Sequence, residues 1–484
     1  MTIKRLILSL LTILAVVRVL FSLQDSFAQP QIQSRLELYQ TNLLLHAAEV
    51  SDDHLIAVRN VFVGPAPLAA AEKQYLRARE VTEKSLANFQ GQQLELQQLL
   101  DEIDLKLGII QAKQGKTKRA ITTWQKLIDR EGDDNYHSSI AQTGSVLMKL
   151  WSLSPVQPTD IESIPTTNLD GWFLYATRKH LDWVQGHFLT PSPWKEREEY
   201  VARQALLKLA LISTIPLLTG ILGIGLGLFL LVQWFIKRET AILTLNSTMT
   251  WEVPWDGEVV WQVLIIGFFF IAQLVVPLLL GILGIEITAL NLRLQAGAIL
   301  VTYILLAMGG LSVLYFSLKP FFPLPSEWFK LEWQGNWFIW GLGGYLVALP
   351  LVVLVSLINQ QIWQGQGGSN PLLFLALQAQ DRVALAMFFL TASLAAPIFE
   401  EIIFRGFLLP SLTRYLPVWG SIAVSSLIFS AAHLSLSEVL PLMTLGIVLG
   451  FVYTRSRNLL APMLLHSLWN SGTLFSLFLL GSGG

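Results

Sequence analysis

Residues 396–406 read Ala396-Pro397-Ile398-Phe399-Glu400-Glu401-Ile402-Ile403-Phe404-Arg405-Gly406. Two adjacent acids and an arginine stand in one of the most apolar parts of the chain. An ionised side chain at the centre of a membrane helix costs about 2.5–3.5 kcal/mol on insertion scales. Charges kept against that cost either neutralise one another or do chemistry.

The surroundings are those of a membrane protein. Of 484 residues, 53% are hydrophobic and only 14% charged, and mean hydropathy is +0.52. A soluble chain carries roughly 25% charged residues. A net charge of −1 argues against nucleic acid as a partner. The absence of cysteine removes disulfides, thiolate metal sites and cysteine nucleophiles together.

Apolar runs of spanning length follow one another from about residue 204, near 211–236, 259–283, 296–318, 337–358, 383–408, 418–433, 439–454 and 459–480. Another precedes them. Lys4 and Arg5 lead into a run that ends in the polar stretch QDSFAQPQ, where Ser26 and Ala28 fit the small-residue rule of signal peptidase. Residues 1–28 are therefore a cleaved signal peptide or an uncleaved signal anchor.

Residues 29–203 differ. They hold most of the charge, and their apolar residues recur at helical spacing. Gly108, Ala112, Gly115, Ala120 and Trp124 resemble the small and bulky positions of one tetratricopeptide repeat, with an ordinary helical bundle as the equal alternative. The expected fold class is all-α. A polytopic membrane bundle of about eight spans follows a signal or anchor segment and an extramembrane helical domain. The expected limits are 1–28 for the signal or anchor, 29–203 for the helical domain, 204–378 for the leading membrane helices, and 379–484 for a core holding the buried charges.

The positive-inside rule orients this layout. With a cytoplasmic N-terminus, the inner loops hold Lys4/Arg5, Lys237/Arg238, Lys319/Lys330, Arg405/Arg414 and Arg455/Arg457, while the short outer loops hold Arg293 and Arg382. The helical domain is then expected on the outer or lumenal side of a bacterial cytoplasmic or internal membrane.

Helical geometry divides the buried charges. Glu401 and Arg405 are four apart with the acid first, the favourable order for a pair on one face. Glu400 lies about 100° around the helix and is less well served by the arginine, which makes it the candidate general base. Two histidines occur in late apolar spans, His433 in FSAAHLS and His466 in HSLWN, where Asn470 shares a face with His466. This set suits activated water, with Glu400 and His433 as bases and His466 and Asn470 as donors to an oxyanion. The alternative is a zinc site of Glu400, His433 and His466. The rival classes are a non-catalytic scaffold pinned by buried polar residues and a proton-coupled transporter using them.

Glu400-Glu401-…-Arg405, Phe429-…-His433 and His466-…-Asn470 resemble the ordered motifs EExxxR, FxxxH and HxxxN of the CAAX-prenyl-protease and bacteriocin-processing family, CPBP or Abi. The resemblance covers roughly residues 380–480. It implies an intramembrane endopeptidase in which the first-motif glutamate and second-motif histidine activate water, and the third motif stabilises the oxyanion. Glu401, Arg405 and Phe429 would support them. The implied partners are a membrane protein or peptide substrate and the lipid bilayer. The helical domain lies outside that resemblance and is expected to engage a protein partner or substrate.

Overall fold

A backbone in lipid must satisfy its own hydrogen bonds, which leaves the helix as the form for long apolar runs. The computed structural model describes residues 2–27, 29, 31–88, 93–130, 139–152, 168–184, 193–379 and 381–481, and among these it is helical without a strand. Ala28 of the expected cleavage site lies outside the described residues.

The chain divides into two units, Met1–Phe27 with Ile215–Phe478, and Ala28–Thr214 with Leu479–Gly484. The sequence sets an edge at 203/204, where the apolar run begins. The division instead falls inside one unbroken helix, Pro193–Lys237, whose early turns bury Ala202, Ala205, Leu206 and Leu209.

The second unit, the one expected to be extramembrane and so called below, is built from α2 (Ile32–Ala48), α3 (Ile56–Val63), α4 (Pro67–Asn88), α5 (Gln93–Lys113), α6 (Thr117–Asp129), α7 (Ser139–Trp151) and α8 (Gly171–Val184). α5 and α6 form a hairpin whose turn uses Gly115 at φ +76°, a conformation that favours glycine. Gly108 admits the Trp124 indole, since a Cβ there would meet Nε1 at 2.2 Å. Fully buried, Trp124 donates from Nε1 to the Leu105 carbonyl at 3.1 Å.

Among the described residues, eight helices are long and apolar enough to cross a membrane, and the chain is a multi-pass membrane protein. They are α1 (Ile3–Phe27), the apolar part of α9 (Pro193–Lys237), α10 (Gly257–Ile282), α11 (Leu292–Leu318), α12 (Trp337–Trp363), α14 (Arg382–Leu412), α16 (Val439–Ser456) and α17 (Leu460–Gly481). Two shorter helices, α13 (Pro371–Gln378) and α15 (Val418–Ala431), accompany them. The run near 418–433 thus forms a helix of 14 residues, about 21 Å long against a hydrocarbon core of roughly 30 Å. Pro417 precedes it and Leu434, at φ +57°, turns the chain just after His433.

α1 packs within the membrane unit. Lys4 and Arg5 pair with Glu258 at 3.0 and 2.7 Å, and Trp261 Nε1 donates to Thr12 Oγ1 at 2.7 Å.

Several loops rich in cations meet at one end of this unit. Arg455 donates to the Leu243 carbonyl at 2.8 Å, Arg457 lies 3.6 Å over the Trp251 ring, and Leu459 N donates to the Lys330 carbonyl at 2.9 Å. At another place loop 364–370 meets the turn after α15, where Ser437 N donates to the Gly367 carbonyl at 3.1 Å.

Candidate active site

The site grows from an irregularity in α14. Two wider, π-type stretches, Leu390–Ala395 and Ile402–Leu408, flank the turn Ala396–Glu401 that carries both acids. Such bulges shift side chains off the regular helical face and concentrate at functional sites. Pro397 contributes to the first, because it has no N–H to offer the preceding turn. The carbonyls concerned find partners on α17: Asn470 Nδ2 donates to Ala392 O at 2.7 Å, and Ser467 donates to Ser393 O.

Glu401 and Arg405 form the pair that their spacing predicts, at 2.8 Å, both fully buried. Arg405 also donates to Gly446 O at 3.1 Å and lies 4.5 Å over the Phe429 ring. Gly446 lets α16 lie close to α15, since a Cβ there would meet Ser426 Cβ at 2.9 Å. His466 Nδ1 is 2.8 Å from Glu401 Oε1. A carboxylate only accepts, so Nδ1 carries the hydrogen and Nε2 is directed elsewhere.

It is directed at Glu400. His466 Nε2 stands 3.9 Å from Glu400 Oε2, too far for a direct hydrogen bond and suited to a bridging water. Tyr303 of α11 donates to the other oxygen, Oε1, at 3.0 Å. Glu400 Oε2 and Glu401 Oε2 have no hydrogen-bond partner among the described residues. The acids differ in access: the Glu401 side chain is fully buried, while that of Glu400 is 14% exposed.

His433 is held by Nδ1, which donates to Phe429 O at 2.9 Å, leaving Nε2 as an acceptor. Its ring packs edge-on against Phe429 at 4.9 Å, and the His466 ring does the same at 5.8 Å. Phe429 is therefore the hub on which Arg405 and both imidazoles converge, and it is fully buried.

Glu400, Glu401, Arg405, Phe429, His433 and His466 are thus linked by direct contacts, and Asn470 joins through the backbone of α14. Among the described residues, no three His, Asp or Glu side chains gather at metal-ligand spacing. Glu400, His433 and His466 do not form a zinc-ligand set as they stand. Tyr303 is the contact that sequence reasoning missed. It lies 97 residues before Glu400 in an apolar span where a tyrosine looks like packing, and its only signal is a hydroxyl where phenylalanine would serve.

The sequence that carries this site has counterparts among known proteins. Residues 382–472 match the family model described as type II CAAX prenyl endopeptidase Rce1-like. A Bacillus subtilis protein, YdiL, named as a membrane peptidase, is 26% identical over 133 residues, which are 28% of this chain and 53% of that protein. The chain therefore spans about half the length of that relative. The membrane-embedded CAAX protease MroQ of Staphylococcus aureus is 24% identical over 216 residues, 43% of this chain and 86% of its own. No solved structure matches the chain. Residues 382–472 lie within the membrane unit, and the extramembrane unit lies outside the family match.

Proposed function

We propose that this chain is an intramembrane endopeptidase in which Glu400 activates a water. The observation that carries the proposal is the disposition of the Glu400 carboxylate. One oxygen is held by Tyr303, and the other, unpartnered, faces His466 Nε2 across 3.9 Å.

Water in that gap gives a proton to Glu400 Oε2, and its oxygen bonds to the scissile carbonyl carbon as the carbonyl electron pair moves to oxygen. Collapse of this intermediate breaks the C–N bond, and the amine leaves with the proton held by Glu400. One water is consumed per bond cleaved. His433 and His466, each with Nδ1 as donor and Nε2 as acceptor, orient the water. Asn470 has a second amide hydrogen beyond the one given to Ala392, and that hydrogen serves the oxyanion. Glu401 and Arg405 are positioning residues: they fix His466 and Phe429.

Substrates are membrane-associated proteins or peptides, a class supported by the names of the relatives and by the depth of Glu400 in α14. The loop charges support a cytoplasmic N-terminus, with the extramembrane unit on the outer or lumenal side.

The test is cleavage of a co-expressed membrane substrate by Glu400→Gln protein. A general base contributes about 10²–10⁴-fold, so cleavage should drop by that factor while insertion and thermal stability persist. Full cleavage by a stably folded Glu400→Gln protein refutes the assignment.

A further inference from the structure

The extramembrane unit contains a groove of about 290 Å³ that the hydrolytic site does not use. Three helices form it: Leu76 and Arg79 come from α4, Asp104 and Leu107 from α5, and Lys118, Arg119 and Lys126 from α6. The only acid among these, Asp104, is fully buried and already paired with Arg79 at 2.7 Å and with Arg130.

The α6 cations have no such partner. Among the described residues, none of Lys118, Arg119 and Lys126 pairs with an acid, and Lys118, Arg119 and Lys126 are exposed. Lys118 and Arg119 also occupy the first turn of α6, which has no acidic residue. That end of a helix carries the positive pole of the macrodipole, where cations are disfavoured and anions attracted. Two cations and the helix terminus therefore reinforce one another at the mouth of a cavity. Neighbouring Lys116, by contrast, is neutralised by Glu72. The floor is apolar, with Leu107 buried and Leu76 46% exposed at the rim.

We propose that this groove is a binding site for an acidic, unfolded peptide segment. Its volume lies at the small end of ligand pockets, about 300–1,000 Å³, which suits a few side chains and not a folded domain. Carboxylates would meet the α6 cations while an adjacent apolar side chain covers Leu76 and Leu107. A peptide held there is tethered to the same chain as the membrane unit, which raises its effective concentration for any reaction of that unit. The proposal stands whether or not the membrane unit is a hydrolase, because binding is measured directly.

The experiment is fluorescence anisotropy with full-length protein in nanodiscs of neutral lipid. The probe is a fluorescein-labelled (Glu-Glu-Leu-Gly)₃ peptide, and the control is the (Gln-Gln-Leu-Gly)₃ analogue. The acidic peptide should bind at least about tenfold tighter than the control, and added salt should weaken it by screening. K118E combined with K126E should weaken binding at least tenfold, and K118Q with K126Q severalfold. Hydrogen exchange of α5 and α6 should stay unchanged in both variants, since the substituted side chains are exposed.

Equal affinity for the two peptides overturns the proposal, as does full binding by the stably folded charge-reversed protein. Displacement of the probe by millimolar inorganic phosphate also overturns it, because the site would then take a small anion. Displacement by vesicles of anionic lipid would do the same in favour of a membrane surface.

Discussion

Each unit buries one carboxylate completely and surrounds it with arginine, yet the two arrangements serve opposite ends. In the extramembrane unit, Asp104 meets Arg79 and Arg130, and both arginines reach solvent, with 25% and 24% of their side chains exposed. Each has a second acid, Glu83 at 3.0 Å for Arg79 and Asp101 at 3.2 Å for Arg130. In the membrane unit, Glu401 and Arg405 are both fully buried. The remaining partners there are a histidine, a backbone carbonyl and an aromatic face. Where water is near, charge is over-compensated and redundant. Where it is not, a single ion pair is backed by a histidine, a backbone carbonyl and a ring face, and one carboxylate oxygen per acid is left for something else.

The difference predicts unequal responses to the same kind of change. Arg405→Ala should be the most damaging, because it leaves Glu401 buried and unpaired. Removing one partner of a buried pair costs about 3–5 kcal/mol, read as loss of thermal stability in detergent together with loss of cleavage. Asp104→Asn should cost only about 1–3 kcal/mol, since Glu83 and Asp101 still hold the two arginines. Equal losses from the two substitutions would break the comparison.

A pH experiment separates the units without mutation. His46 in α2 is 1% exposed, and neither ring nitrogen has a hydrogen-bond partner among the described residues. Burial pushes its pKa down from 6.5 to about 4, partly opposed by Glu49. A histidine lowered by folding contributes stability above its unfolded value, and that stability is lost as pH falls from 6.5 towards 4. The loss is on the order of 3 kcal/mol once both values are passed. Hydrogen exchange of α2 in the full chain should accelerate across that window, and His46→Leu should flatten the response.

The smallest expected effect falls on Tyr303→Phe. The ring and its edge contact with Phe399 at 6.2 Å remain, but Glu400 Oε1 loses its donor. Turnover should fall about tenfold, close to 1.4 kcal/mol, with KM and thermal stability unchanged. A matching loss of stability would make Tyr303 a packing residue and not a positioning one.

Much of the site was legible before any fold was known, for reasons that are local. Charges stand out in apolar sequence, the Glu401–Arg405 pair follows from four-residue spacing on one helix, and Phe429 and His433 sit a turn apart for the same reason. Less legible was the number of crossings. Apolar composition near 418–433 looks like a span, but Pro417 stands at the start of the helix and the left-handed Leu434 turns the chain soon after Ala431, and composition does not encode where a helix stops.

Taken alone, the sequence determined that the chain is helical, that it crosses a membrane repeatedly, and which acids, histidines and arginine could act together. These follow from periodicity, run length and the cost of charge in lipid, which need no knowledge of neighbours. Only the tertiary structure decided that His466 Nε2 stands 3.9 Å from Glu400 Oε2, that Tyr303 holds the other carboxylate oxygen, and that Asn470 meets the backbone of α14. Those contacts join α11, α14, α15 and α17, whose depth and rotation relative to one another are set by packing at positions such as Gly446 and by the bulges around Pro397. The α4–α6 groove is of the same kind. Its cations are visible in the sequence, but that they line a cavity depends on three helices meeting.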